Sequence, residues 1–221
     1  MSMRSFARFL PFCPAMLACV SIGGLASSAH ANVTNGSFEQ VTVGAGSFAN
    51  LSGGSTALTG WTVVGSLVTV INTSYVESGI TFNAQSGSQW LDLTGPASNL
   101  ASNGVTQDVP TTIGEFYRLS FWVGSATNNF NIFASTVDLS IGGGPRLSFT
   151  NPTAPRSSMD WQLFSADFVA TSALTNITFL NGSGPNNNLS GLDNVTLEVI
   201  PAPSAVALLG LGGLMAARRR R

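Results

Sequence analysis

The chain has 221 residues, of which only 9% are charged, with nine arginines, no lysine, ten acids and one histidine. That length holds one ordinary domain plus processing segments. Between Asn32 and Ile200 three arginines face all ten acids, a net charge of −7, while both cysteines and the histidine lie upstream; this disfavours a nucleic-acid partner and excludes from that stretch a disulfide, a thiolate or imidazole metal site, and a Ser-His or Cys-His nucleophile.

The first 31 residues have the layout of a secretory signal peptide. Arg4 and Arg8 charge its start, "FLPFCPAMLACVSIGGLA" is its apolar stretch, and Ala29 and Ala31 present small residues at the two positions a signal peptidase reads. The expected mature start is near Asn32. A retained amino-terminal helix would have to accommodate Pro11 and Pro14. A lipoprotein reading of Cys19 lacks the leucine expected three residues earlier, where Met16 stands.

From 32 to 199 the alphabet is Ser, Thr, Asn, Gly, Val, Leu and Phe, which favours short strands and tight turns over helices. "LTGWTVV", "SLVTVI", "SQWLDL" and "GVTQDV" are the first strand candidates. In "YRLSFWVG" period-two alternation places Tyr117, Leu119, Phe121 and Val123 on one face and Arg118, Ser120 and Trp122 on the other. "STVDLSI" and "RLSF" follow, joined through Gly142, Gly143 and Gly144, a run suited to a hairpin turn because glycine adopts positive φ at little cost. "WQLFSADFVA" groups Phe164, Ala166 and Phe168, "LTNITFL" comes next, and "NVTLEV" sends Val195, Leu197 and Val199 inward. "NPTAPRSS" and "NGSGPNNNLSG" are loops. About ten short strands in roughly 170 residues predict one all-β domain, a two-sheet antiparallel β-sandwich or jelly roll.

Several motifs share an order with a known family. "NGSFE", "LTGWTV", "SGSQWLDLTG", "GVTQDVP", "GEFYRLSFWVG" and "SGLDNVTLEV" together resemble the galactose-binding-like jelly-roll domains of bacterial surface proteins, including the choice-of-anchor group, and related carbohydrate-binding modules. The resemblance implies a structural calcium where first and last strands meet, held by the glutamate of "FE" and an aspartate beside the last strand. Here those are Glu39 and Asp193, with Asn35 or Asn194 and backbone carbonyls completing the six to eight oxygens calcium takes. The alternative is that Glu39 and Asp193 satisfy turn amides.

The end of the chain, "IPAPSAVALLGLGGLMAARRRR", resembles the PEP-CTERM sorting signal, with Pro201-Ala202-Pro203 where that family usually has glutamate between the prolines. The resemblance implies cleavage near these prolines by an exosortase, an intramembrane transpeptidase-like enzyme. The physics of residues 200–221 gives the same partition. Thirteen residues from Ala205 to Ala217 span only about 20 Å as a helix, against a hydrocarbon core of about 30 Å. Arg218, Arg219, Arg220 and Arg221 would stay cytoplasmic by the positive-inside rule. The segment suits a transient inner-membrane tether before arrival at the cell surface or extracellular matrix; a permanent tail anchor or a core helix is the plainer alternative.

Sugar recognition would rest on the four tryptophans, since an indole face stacks on the apolar face of a sugar. Trp61, Trp90 and Trp161 are expected in the core, and Trp122 is the candidate for a bound polysaccharide. A glycan hydrolase would need two carboxylates flanking one bond. Asp92, Asp108, Asp138 and Asp160 are available, but nothing in the sequence pairs any two of them. The expected activity is therefore binding or structural, not catalytic.

Overall fold

A computed structural model describes residues 33–95, 100–127, 134–152, 157–184 and 189–200. The signal-cleavage residues Ala29 and Ala31, and the tail residues Pro201, Ala202, Pro203 and Arg218 to Arg221, lie outside the described residues. The strands, in chain order, are β1 (Phe48–Ser52), β2 (Thr62–Val64), β3 (Leu67–Asn72), β4 (Val76–Glu77), β5 (Ile80–Thr81), β6 (Gln89–Asp92) and β7 (Gly104–Pro110). They continue with β8 (Phe116–Ser125), β9 (Ser135–Ile141), β10 (Leu147–Asn151), β11 (Asp160–Val169), β12 (Leu174–Asn181) and β13 (Gly191–Val199).

Six strands form one sheet in the order β1-β3-β6-β13-β8-β11, and five form the other in the order β10-β9-β12-β7-β2. All strand pairs within the sheets are antiparallel. This is the expected antiparallel β-sandwich, with one core between the two sheets.

The alternation of "YRLSFWVG" holds along β8. Tyr117, Leu119, Phe121 and Val123 are buried against the facing sheet's Val105, Val137, Leu139, Ile177 and Phe179 in a single apolar cluster. Phe121 is the hub of its rings, with centroids 4.9 Å from Phe179 and 5.1 Å from Phe149, both edge-on. Such edge-on geometry adds to what area burial alone gives. Gly142 and Gly143 take φ of 60° and 73° between β9 and β10, the consecutive positive pair of a type I′ hairpin.

The last strand needs one irregularity. Leu192 and Val195 both point into the core although three residues apart, which strict alternation forbids. A register shift between Asp193 and Thr196, with Asn194 at φ 48°, inserts the extra residue of a β-bulge. The bulge leaves Asp193 on the outer side of the sheet and returns Val195 and Leu197 to the inside.

Two features were not expected from the sequence: β1, and the small β4–β5 hairpin. The hairpin belongs to an excursion, residues 73–88, that packs on the outer face of the six-stranded sheet and makes a second apolar cluster. There Trp90, Ile71, Ile80, Ala126, Met159 and Leu189 are buried, with Tyr75, Phe82 and Trp161 against them.

Candidate functional site

Paired residues on neighbouring strands share a face, so the registers define the outer surface of the six-stranded sheet. One row runs Leu163, Trp122, Asp193 across β11, β8 and β13. The next row toward the loop end is Trp161, Gly124, Gly191 and Asp92. The row on the other side of Trp122 is Ser165, Ser120 and Thr196, followed by Asp167, Arg118 and Glu198.

Of the three tryptophans expected in the core, two are buried and Trp161 is not. Trp61 and Trp90 are fully buried, and their indole N–H groups donate to the carbonyls of Asn35 (3.1 Å) and Phe82 (2.9 Å). Trp161 is half-buried, edge-on to Trp90 at 5.7 Å, and donates to the Asn83 carbonyl at 2.9 Å. It lies over a flat floor. A Cβ on Gly124 would stand 2.5 Å from Met159 Cε and 2.6 Å from the Trp161 ring, and Gly191 packs directly on the Gly124 backbone.

Trp122 differs from the other three. It is half-buried on the outer face, and among the described residues it has neither a ring neighbour nor an acceptor for its indole N–H. Leu163 beside it is 53% exposed. Around them stand the hydroxyls of Ser120, Ser165 and Thr196, and the excursion's Gln85, which accepts from Asn194 Nδ2 at 3.1 Å. An apolar plate with a free donor, rimmed by hydroxyl and amide groups, is suited to a ligand with one apolar and several polar faces. Leu163 went unremarked in the sequence, although the alternation that sends Phe164 and Phe168 inward also sends it out.

Glu39 and Asp193 do come to one place, on either side of the excursion's last turn. Glu39 Oε1 accepts from the backbone N–H groups of Ser88 and Gln89, each at 2.8 Å, and Oε2 accepts from Ser88 Oγ at 2.7 Å. Asp193 Oδ2 accepts from the N–H groups of Gln85 (2.9 Å) and Ser86 (3.1 Å), and Oδ1 from that of Asn194 (2.7 Å). Asn35 Oδ1 takes the N–H of Gln40, the residue next to Glu39, at 3.1 Å. Among the described residues no group of three or more Asp, Glu, His or Cys gathers to hold a metal, and all four carboxylate oxygens already face donors. So engaged, the two residues form a double amide cap that pins residues 85–89 to the sheet.

The cap has an electrostatic cost. Burial pushes the Asp193 carboxyl up to about 7; its three amide partners pull the other way, and the nearby Glu39 carboxylate adds to the rise. Burial likewise raises Asp92, which is held by Thr94 and Ser190. The other acids considered for catalysis have separate engagements: Asp108 with Asn176, Asp138 with Ser148 and Arg146, and Asp160 with Asn151.

Among solved structures the chain is similar to a family 35 carbohydrate-binding module from Clostridium thermocellum, at 17% identity and a TM-score of 0.41, covering 63% of this chain and 92% of that one. It is also similar to the CBM22-1 xylan-binding domain of Paenibacillus barcinonensis Xyn10C, at 18% identity and a TM-score of 0.40, covering 73% and 99%. A third likeness is to a GH26-CBM35 β-(1,4)-mannanase of Podospora anserina, at 13% identity and a TM-score of 0.41, covering 62% of this chain and 28% of that enzyme. No curated protein matches the chain. Residues 31–198 match the family described as protein of unknown function (DUF642), and the chain belongs to that family.

Proposed function

We propose that the protein is an exported bacterial envelope or matrix component whose sandwich binds extracellular carbohydrate on the outer face of the six-stranded sheet. Trp122 is the stacking plate, Leu163 extends it, and Ser120, Ser165 and Thr196 supply hydroxyl partners. The observation that carries this reading is the half-buried indole at Trp122, unpartnered among the described residues, in a domain that gives each other tryptophan a ring neighbour and an acceptor.

Sorting belongs to the same proposal. The segment after Ile200 serves as a transient inner-membrane tether, which an exosortase-type enzyme cuts near Pro201–Pro203 to deliver the sandwich to the surface or into exopolysaccharide. The domain acts by binding and carries no reaction.

Two measurements test the two parts. In affinity electrophoresis against a panel of bacterial and plant polysaccharides, the wild-type protein is retarded by at least one. Trp122→Ala abolishes that retardation, and Trp122→Phe keeps part of it. Equal mobility of Trp122→Ala and wild type in every gel would sink the assignment of the plate. Intact mass of protein recovered from the native host reports the tail: it should lack Arg218 to Arg221, and a quantitatively retained arginine cluster would refute the sorting reading.

A further inference from the structure

Four of the nine large apolar side chains exposed among the described residues gather at one end of the sandwich. Ile113, in the β7–β8 loop, is 66% exposed, Leu174 at the start of β12 is 58% exposed, and Val169 and Phe116 are exposed as well. Val169 and Phe116 are register partners, and the Ile200 N–H donates to the Phe116 carbonyl at 2.9 Å, so the three form one row across the end of the sheet. The loops carrying the others are tied into the same end, Thr111 N–H to the Ala173 carbonyl and Gly114 N–H to the Ala170 carbonyl. The opposite end, around Gly65, Asn103 and Ser183, exposes one large apolar side chain, Leu100, and is otherwise tied by polar groups: Asn103 Oδ1 takes the N–H of Ser66, and Ser183 Oγ the N–H of Thr136.

This apolar end is where the chain leaves the domain. Only Pro201 to Ser204 separate Ile200 from the apolar run at Ala205, and four extended residues reach at most about 14 Å. The ten residues of β8 give the sandwich a height of roughly 33 Å. A tether that short holds the Ile200 end, and no other, against the bilayer. Exposed apolar side chains gathered on one surface mark a contact site, and here the nearest apolar phase is the interfacial region of the lipid.

We infer that the end bearing Ile113, Phe116, Val169 and Leu174 is a membrane-docking surface, seated on the lipid interface while the tail holds the chain. This rests on the tether reading of the tail. Among the described residues the rim carries Glu115 and Glu198 and no cation besides Arg118, which is engaged with Asp167 at 2.7 Å. The surface it fits is therefore zwitterionic lipid, in preference to an anionic membrane.

The test is paramagnetic relaxation in the full chain, expressed with its export signal and reconstituted into phosphatidylcholine nanodiscs doped with a headgroup nitroxide lipid. Amide resonances of Ile113, Phe116, Val169 and Leu174 should broaden several-fold more than those of Gly65, Asn103 and Ser183. The double variant Ile113→Ser, Leu174→Ser should lose most of that difference while remaining in the discs. A chain that stays in the discs with both ends equally broadened, or a double variant as strongly broadened as wild type, overturns the docking surface and leaves the tether standing. A chain absent from the discs overturns the tether, and the docking surface with it.

Discussion

Replacing Asp193 by asparagine isolates the electrostatic cost of pinning the excursion. The sign follows from proton binding. With a folded-state value of about 7 against an ordinary 3.8, the native protein keeps a proton that the unfolded chain releases between those limits, so stability falls as pH rises through that window and levels off above it. At about 1.4 kcal/mol per pH step, the loss between pH 4.5 and pH 7 comes to roughly 3 kcal/mol. The asparagine cannot ionise and lacks this slope. It carries instead a pH-independent penalty. With its oxygen toward the Gln85 and Ser86 amides, its NH2 meets the Asn194 N–H where Oδ1 stood at 2.7 Å. A buried donor left in that position costs about 1–3 kcal/mol. Urea unfolding followed by tryptophan fluorescence at several pH values between 4.5 and 7.5 gives both curves, and their difference cancels the titrations of the other acids. The wild type should lose its stability advantage over Asp193→Asn as pH rises. Parallel curves, or an advantage that grows with pH, would show that the three amides outweigh burial and would refute the reasoning.

Other perturbations read other parts of the structure. Millimolar calcium should leave the wild-type slope unchanged if Glu39 and Asp193 act only as amide caps; a slope reversed by calcium, with stability rising toward neutral pH, would assign them to the ion. Gly124→Ala drives a methyl group into Trp161 and Met159; it should cost about 1–3 kcal/mol in chemical denaturation and diminish the near-ultraviolet dichroism of the Trp90–Trp161 pair. Trp61→Ala empties a core position between Phe38 and Phe179 and should cost about 3–5 kcal/mol. Trp122→Ala, on the open face, should shift the denaturation midpoint far less, and a comparable shift would place Trp122 in the core.

The legible parts of the fold were those governed by a short local rule. Period-two alternation identified β8, β11 and the inward side of β13, and the glycine run marked the β9–β10 hairpin, because each depends on residues within one or two turns of the chain. β1 was missed because "FANLS" is an edge strand with weak alternation, fixed by its ladder to β3 and not by its own composition. The excursion was missed for a related reason. Residues 73–88 carry only two-residue strands, and their position depends on acceptors from distant parts of the chain, Glu39 and Asp193. The same distance limits how far the site could be read. The family resemblance brought Glu39 and Asp193 forward as a pair and alternation put Trp122 on the outer side, but the donors that the two carboxylates meet, and the lack of an acceptor for the Trp122 indole N–H among the described residues, are properties of the assembled sheet.

The place of the final strand has a mechanical consequence. β13 lies inside its sheet, bonded to β8 along most of its length and to β6 at its beginning. A pull applied at Ile200 therefore runs along the axis of an interior strand, loading the long β8 ladder in shear. A carboxy-terminal strand at the margin could be unzipped one bond at a time. A domain hauled or hung by this terminus bears the force through its centre.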